Sequence, residues 1–293
     1  MSSPASGSTI ERPRFGEVRA FLARLSFSTW IGVAILAALL LAAILAPYIT
    51  GHSPARQSMM AQFAEPGGRY PLGADQLGRD IWTRLVYGAR YSLYIGVFSI
   101  LAALVVGSLI GMIAGFRGGK VDILLMQAMD VIIAFPSLIL GLALVALMGA
   151  TMTNIIIAIA FGATPSFARI ARGAVIAQRD REYVHACQAM GFSGPRILLR
   201  HILPAIIPEI MVMASMWMAT AVRTEASLAF VGLGLPPPTP TWGGMVRDGL
   251  DSILISYHLA LFPSIAILVL VLAFNLIGDG VRDAIDPRLK DAS

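Results

Sequence analysis

The sequence is poor in charge, cysteine and histidine, and each shortage excludes a class of protein. Only 13% of the 293 residues are charged and 57% are apolar, against about 25% and roughly 45–50% in an average soluble domain. Mean hydropathy is +0.75, so a water-soluble globule is excluded. The single cysteine, Cys187, can form neither an intrachain disulfide nor a cysteine-based metal site by itself. The histidines His52, His185, His201 and His258 are scattered without ligand spacing. A phosphate loop is also missing. The nearest stretch, ending in Gly119 and Lys120, has Ala114 where the first glycine must stand and Val121 where a serine or threonine is required. Gly232 and Gly234 begin a dinucleotide fingerprint that fails at Pro237. With no nucleophile elbow and no zinc-protease helix, the chain is expected to be non-catalytic, to hold no metal or cofactor, and neither to bind nor to hydrolyse ATP alone.

Long uncharged runs are what the chain does have. They cover residues 26–51, 91–116, 131–168 and 252–278, each longer than the roughly 18 apolar residues that argue for a membrane span. The third run is too long for one helix and contains a small, polar break at residues 149–154. A further apolar stretch lies between His201 and Arg223. The expectation is an all-α polytopic protein with six transmembrane helices near 29–49, 91–116, 123–149, 153–171, 204–223 and 257–278. Residues 1–28 form an N-terminal tail ahead of a transmembrane domain spanning 29–293. Arg12, Arg14, Arg19 and Arg24 resemble the start of a signal peptide, but the apolar run that follows exceeds a signal's roughly 7–15 residues and is read as a retained first helix.

Six spans place both termini on one side of the membrane. Putting them in the cytoplasm places fifteen of the 22 basic residues inside, as the positive-inside bias requires. The pI near 9.7 therefore reflects membrane orientation, and a nucleic-acid partner is not expected; the surroundings of the chain are membrane lipid.

The inward loop 171–201 reads as two short helices. Asp180 is placed to cap the first, Glu182 sits in its first turn, and Gly191 stands where a left-handed residue ends it. Tyr183, Ala186, Cys187 and Met190 recur at helical spacing as an apolar stripe that needs a surface, either the membrane or a partner. A second helix restarts at Ser193-Gly-Pro195 and leads through Leu203 and Pro204 into the membrane. Outside, residues 50–90 read as a lid or a docking face, with Asp75, Arg79, Asp80 and Arg84 paired at helical spacing. Residues 225–256, with Gly232, Gly234 and a proline run at 236–240, read as irregular backbone at the mouth. Asp130 is a carboxylate near the lipid, Asn154 and Asn275 read as interhelical hydrogen-bonding groups, and Pro136 and Pro263 as bends.

Glu182-Tyr-Val-His-Ala-Cys-Gln-Ala-Met-Gly191 followed by Ile202-Leu203-Pro204 resembles the EAA loop of permease subunits in binding-protein-dependent ABC importers. Where that loop has Glu-Ala-Ala, this chain has His185, Ala186 and Cys187. Pro71 to Asp80, Arg84 to Arg90, Gly118 to Asp122, Met129 to Pro136, Glu225 to Gly234, Pro238 to Gly243 and Gly278 to Arg288 are similar, in order, to the C-type subunit of the dipeptide/oligopeptide/nickel branch. The resemblance implies a type I importer permease fold in a bacterial inner membrane. It further implies a coupling helix that docks an ATPase through Glu182, Tyr183, His185, Ala186, Cys187, Gly191, Leu203 and Pro204. The implied partners are a related permease forming a heterodimer, two cytoplasmic ATPase subunits that bind ATP and Mg, and an external substrate-binding protein. It does not choose among dipeptides, longer peptides, peptide conjugates and nickel. A secondary transporter driven by an ion gradient is the alternative, and the absence of an evident internal repeat speaks against it.

Overall fold

The computed structural model describes residues 25–285, all of them in helices, turns and loops apart from two isolated bridges. The arginines of the N-terminal tail and the last residues of the 278–288 motif lie outside the described residues.

Helix α1 (Phe27–Ile49) starts where the Ser26 hydroxyl accepts from the Thr29 amide. After it the chain crosses a compact loop. Helix α2 (Ile81–Arg117) is then capped by Asp80, whose carboxylate accepts from the Thr83 amide at 3.1 Å. At 37 residues it is about 55 Å long, well beyond a hydrocarbon core of about 30 Å. It begins ten residues before the expected position, because Arg84 and Arg90 interrupt the hydropathy without interrupting the helix. Gly118, at φ +64°, turns the chain into α3 (Gly119–Ile133).

The third expected span is broken. Helices α3 and α4 (Ser137–Met148) meet at 87° around Pro136, which has no amide proton to continue the ladder and disfavours helical geometry at Phe135. Helix α5 (Met152–Arg179) is capped by Thr151 and runs eight residues past its expected end. The Asn154 amide is not interhelical in the usual sense: it donates to the carbonyls of Met148 and Gly149, closing the end of α4. Asn275 is exposed on the last helix. Helix α6 (Glu182–Ala189) and the single turn α7 (Gly194–Ile197) follow. One wide turn at Leu198–Ile202 then joins α7 to α8 (Leu203–Leu228), just ahead of Pro204. A second wide segment, Ala229–Leu233, ends at Gly232 with φ +96°. Helix α9 (Trp242–Leu250) and α10 (His258–Ile285) complete the chain. Five helices or helix runs are long and apolar enough to cross a membrane, and six if the bent α3–α4 pair counts as one broken span and not as a re-entrant loop.

Packing is tightest between α2 and α5. Gly107, Gly111 and Gly115 repeat every four residues on α2, and a Cβ on Gly107 would stand 2.5 Å from the Thr164 carbonyl, one on Gly115 2.8 Å from that of Arg172. Small residues at this spacing let two backbones approach where lipid supplies no hydrophobic drive. Phe167 and Ala171 of α5, Ile206 and Ile210 of α8 and Ile155 build the core around this contact, and a second cluster gathers α1, α2, α9 and α10 around Trp242 and Leu270.

Candidate functional site

Helix α6 lies at the end of the bundle where α2 and α5 terminate. Arg179 fixes that end by donating from Nη1 to the Gly115 carbonyl at 3.1 Å. Asp180 does not cap α6: α5 runs to Arg179, Asp180 is the capping residue just past its end, and its carboxylate lies 3.4 Å from Arg179 Nε. The residue before α6 is Arg181, which gives no side-chain cap.

The apolar stripe expected from spacing is split. Val184 and Cys187, three residues apart, are buried in the main core. Tyr183, Ala186 and Met190 point the other way and are exposed, together with Glu182 and His185. The Tyr183 hydroxyl bonds Gln178 at 3.1 Å, and partial burial of the ring pushes its phenol above the ordinary value, so it is neutral at physiological pH. The helix ends in a Schellman motif: the Gly191 amide donates to the Gln188 carbonyl and the Phe192 amide to that of Cys187, with Gly191 at φ +77°. Phe192 is clamped by His201, stacked at 5.9 Å, and Arg196, 4.3 Å above the ring. Leu203 packs on the core and Pro204 is exposed. Of the eight residues singled out, the structure thus gathers Glu182, Tyr183, His185, Ala186 and Gly191 on one exposed surface. It puts Cys187 beneath that surface and Leu203 and Pro204 two turns beyond. A helix held this way, with its inner face on the core and its outer face bare, offers a surface to a partner. No carboxylate, cysteine and histidine cluster suited to a metal is found among the described residues.

The opposite end carries a polar cluster. Asp75 pairs with Arg79 at 2.6 Å and with Arg84 at 3.5 Å, and Arg79 reaches Asp248 of α9 at 3.6 Å. Asp75 and Arg79 pair across a tight turn, not along a helix, and Asp80 serves as the α2 cap. Burial raises the Asp248 carboxyl above the usual range, against the lowering pull of Arg84 and Arg79. A cavity of about 230 Å³ opens beside it, lined by Arg84, Thr239, Thr241, Arg247 and Asp248. Glu225, expected in the external segment, is fully buried in α8 and accepts from the Ser92 hydroxyl at 3.4 Å. Ser92 in turn accepts from the Trp242 amide.

Residues 107–291 match the family described as "Binding-protein-dependent transport system inner membrane component". The chain belongs to this family. It is 41% identical over 260 residues to the dipeptide transport system permease protein DppC of Alkalihalophilus pseudofirmus, covering 89% of this chain and 86% of that one. It is 44% identical over 225 residues to the glutathione transport system permease protein GsiD of Pectobacterium atrosepticum, covering 77% and 75%. Among solved structures, the inward-facing MetNI methionine ABC transporter superposes with a TM-score of 0.57 at 20% identity, over 70% of this chain and 98% of that one, and shows the fold. The protein is therefore a membrane-spanning permease subunit of a binding-protein-dependent ABC importer, not a secondary transporter.

Two features of the permease escape a reading by hydropathy. Asp122 and Asp130 of α3 reach Arg172 and Arg169 of α5, at 2.6 Å in each case. Each carboxylate near the lipid is thus paired with an arginine. The other is the glycine repeat at 107, 111 and 115, visible in the sequence as a G-x-x-x-G pattern within an apolar run.

Proposed function

We propose that this permease imports peptides or peptide-like solutes across a bacterial inner membrane as one half of a heterodimer with a related permease. An external binding protein delivers the solute, and two cytoplasmic ATPase subunits bind ATP and Mg and drive the cycle. Residues 182–204 form the docking element for one ATPase, with α6 as its coupling helix, and both termini face the cytoplasm. The observation that carries the docking assignment is the bare outer face of α6, which buries only Val184 and Cys187. Peptide import is supported by the relatives named for dipeptide and glutathione transport. ATP-driven closure of the ATPases displaces α6, and because the chain runs from α5 into α6 and on through α7 to α8, the bundle shifts between two packed arrangements.

The test is uptake of labelled dipeptide, glutathione and nickel by proteoliposomes holding the complete complex, with ATP enclosed and the binding protein outside. Peptide uptake that requires ATP is the expected result. Nickel uptake with no peptide uptake overturns the substrate assignment; uptake that runs on an ion gradient without ATP overturns the mechanism.

A further inference from the structure

Among the described residues, some arginines of the helices are matched by a carboxylate; Arg90, like Arg223, is not, and Arg90 faces an apolar groove. Arg84 is held by Asp75, Arg169 by Asp130 and Arg172 by Asp122. Arg90 is exposed on α2, makes no ion pair among the described residues, and has as its recorded neighbour the ring of Tyr87, 6.0 Å away. It stands at one end of a groove of about 310 Å³ between α1 and α2, whose other lining residues are Leu40, Ala43, Ile44, Leu93, Tyr94, Val97 and Phe98. Apart from the Tyr94 hydroxyl, Arg90 is the one polar group in that lining. The groove exists because Ala43 is small where its neighbours Leu40 and Ile44 are large. Tyr94 and Phe98, their rings 4.2 Å apart, make its far wall.

The depth of the groove indicates what fills it. Trp82, Tyr87, Tyr91 and Tyr94 gather on the first four turns of α2, the aromatic belt that marks a membrane–water interface. Ile44 is five residues, about 8 Å, short of the end of α1. Arg90 therefore lies just below the headgroup level, within reach of it by extending its side chain. A bare cation facing hydrocarbon is costly, and the anion that the membrane itself offers at this depth is a lipid phosphate.

We propose that the α1–α2 groove is a phospholipid site, with one acyl chain lying along Leu40, Ile44, Val97 and Phe98 and the phosphate on the Arg90 guanidinium. The chemistry fits both ends: a long apolar channel open along one side accepts a chain of methylenes, and a planar guanidinium takes two phosphate oxygens at once. A second protein chain packed on this face is the competing occupant, and it would leave Arg90 in need of a carboxylate.

The experiment reconstitutes the complete complex in lipid nanodiscs containing phosphatidylglycerol with a photoreactive group midway along one acyl chain. After irradiation, adducts are expected on peptides spanning residues 40–44 and 93–98. Arg90→Gln is expected to lower the yield there by about fivefold, the weight of one basic residue at an anionic membrane surface, while Arg90→Lys retains most of it. Val97→Trp fills the channel and is expected to remove the adducts with Arg90 intact, which keeps the test decisive if Arg90→Gln does not assemble. Unchanged yields in Val97→Trp or in assembled Arg90→Gln overturn the proposal. So does a zero-length crosslink from Val97→Cys to the partner permease, which would make the groove a protein interface. Loss of the adduct on adding inorganic phosphate would identify a free-anion site and equally overturn it.

Discussion

Gly191 takes φ +77° and has no atom within 4 Å of the place where a Cβ would stand. A side chain there meets no steric obstacle within the chain, so its folding penalty is confined to the left-handed backbone, about 1–2 kcal/mol. That is small against a typical stability of roughly 5–15 kcal/mol. The side chain would project onto the same open surface as Tyr183 and Met190. Gly191→Leu is therefore expected to insert and to pair with its partner permease while losing transport and holding its ATPases weakly. Gly191→Asn, which tolerates the left-handed region, is expected to lose much less, as is His185→Glu. Uptake and ATPase co-purification read the outcome, and a Gly191→Leu protein that transports normally with its ATPases bound removes the coupling-helix assignment. At this scale the sequence was a good guide to the end of α6 and a poor one to its start. A glycine after a short amphipathic stretch has one common use, whereas Asp180 fits equally well just past the end of a preceding helix, which is where the length of α5 puts it. Spacing alone also could not divide Tyr183, Ala186, Cys187 and Met190 between an inner and an outer face, because on a helix of eight residues either face can turn inward.

Between elements, the decisive contact is that of α2 with α5. A Cβ on Gly111 would run into the Ala168 carbonyl, a backbone group with no rotamer to yield, whereas Gly162, also helical, meets nothing within 4 Å. Gly111→Val is expected to lower the stability of the permease by about 1–3 kcal/mol or more, as overpacking does, and Gly162→Val to change it by no more than a few tenths beyond its helix propensity. Thermal unfolding of the two variants in one detergent compares them directly; equal midpoints would show that the helices separate freely at this contact. The number and kind of elements were legible because apolar runs of this length have few alternatives in a membrane. Their ends were less so. The start of α2 was hidden by Arg84, a charge that hydropathy counts against a helix and that Asp75 renders acceptable. The 87° break at Pro136 was foreseeable as a bend but not in its size, and the closing of the far end of α4 by the Asn154 side chain is a contact no periodicity reveals.

For the molecule as a whole, orientation decides whether the proposed roles of its two ends are compatible, since ATP is available only in the cytoplasm and α6 has to face it. The charge argument sharpens once the pairings are known. Of the seven basic residues assigned outside, Arg79 and Arg84 are buried against Asp75, leaving five free to oppose the inward bias. On the inner side, Arg169 and Arg172 are likewise tied to Asp130 and Asp122, but Arg117, Lys120, Arg181, Arg196 and Arg200 stand on the same end as α6 without a carboxylate among the described residues. The balance still favours α6 inside. The structure also supplies a better reporter for the other end than a residue within the loop's packing: Met60 is fully exposed on the compact 51–80 segment, whereas the Ser58 backbone is packed closely against Gly78. In a Cys187→Ala background, Met60→Cys is expected to react with a membrane-impermeant maleimide once the outer membrane is permeabilised with the inner membrane intact, and Ser193→Cys only after the inner membrane is opened. The reverse pattern would invert the protein and, because no ATPase could then reach α6, would remove the coupling role of residues 182–204 along with it. Labelling at both positions with the inner membrane sealed would instead require an even number of crossings between them, making the bent α3–α4 pair a re-entrant loop that turns back at Pro136 and not a span.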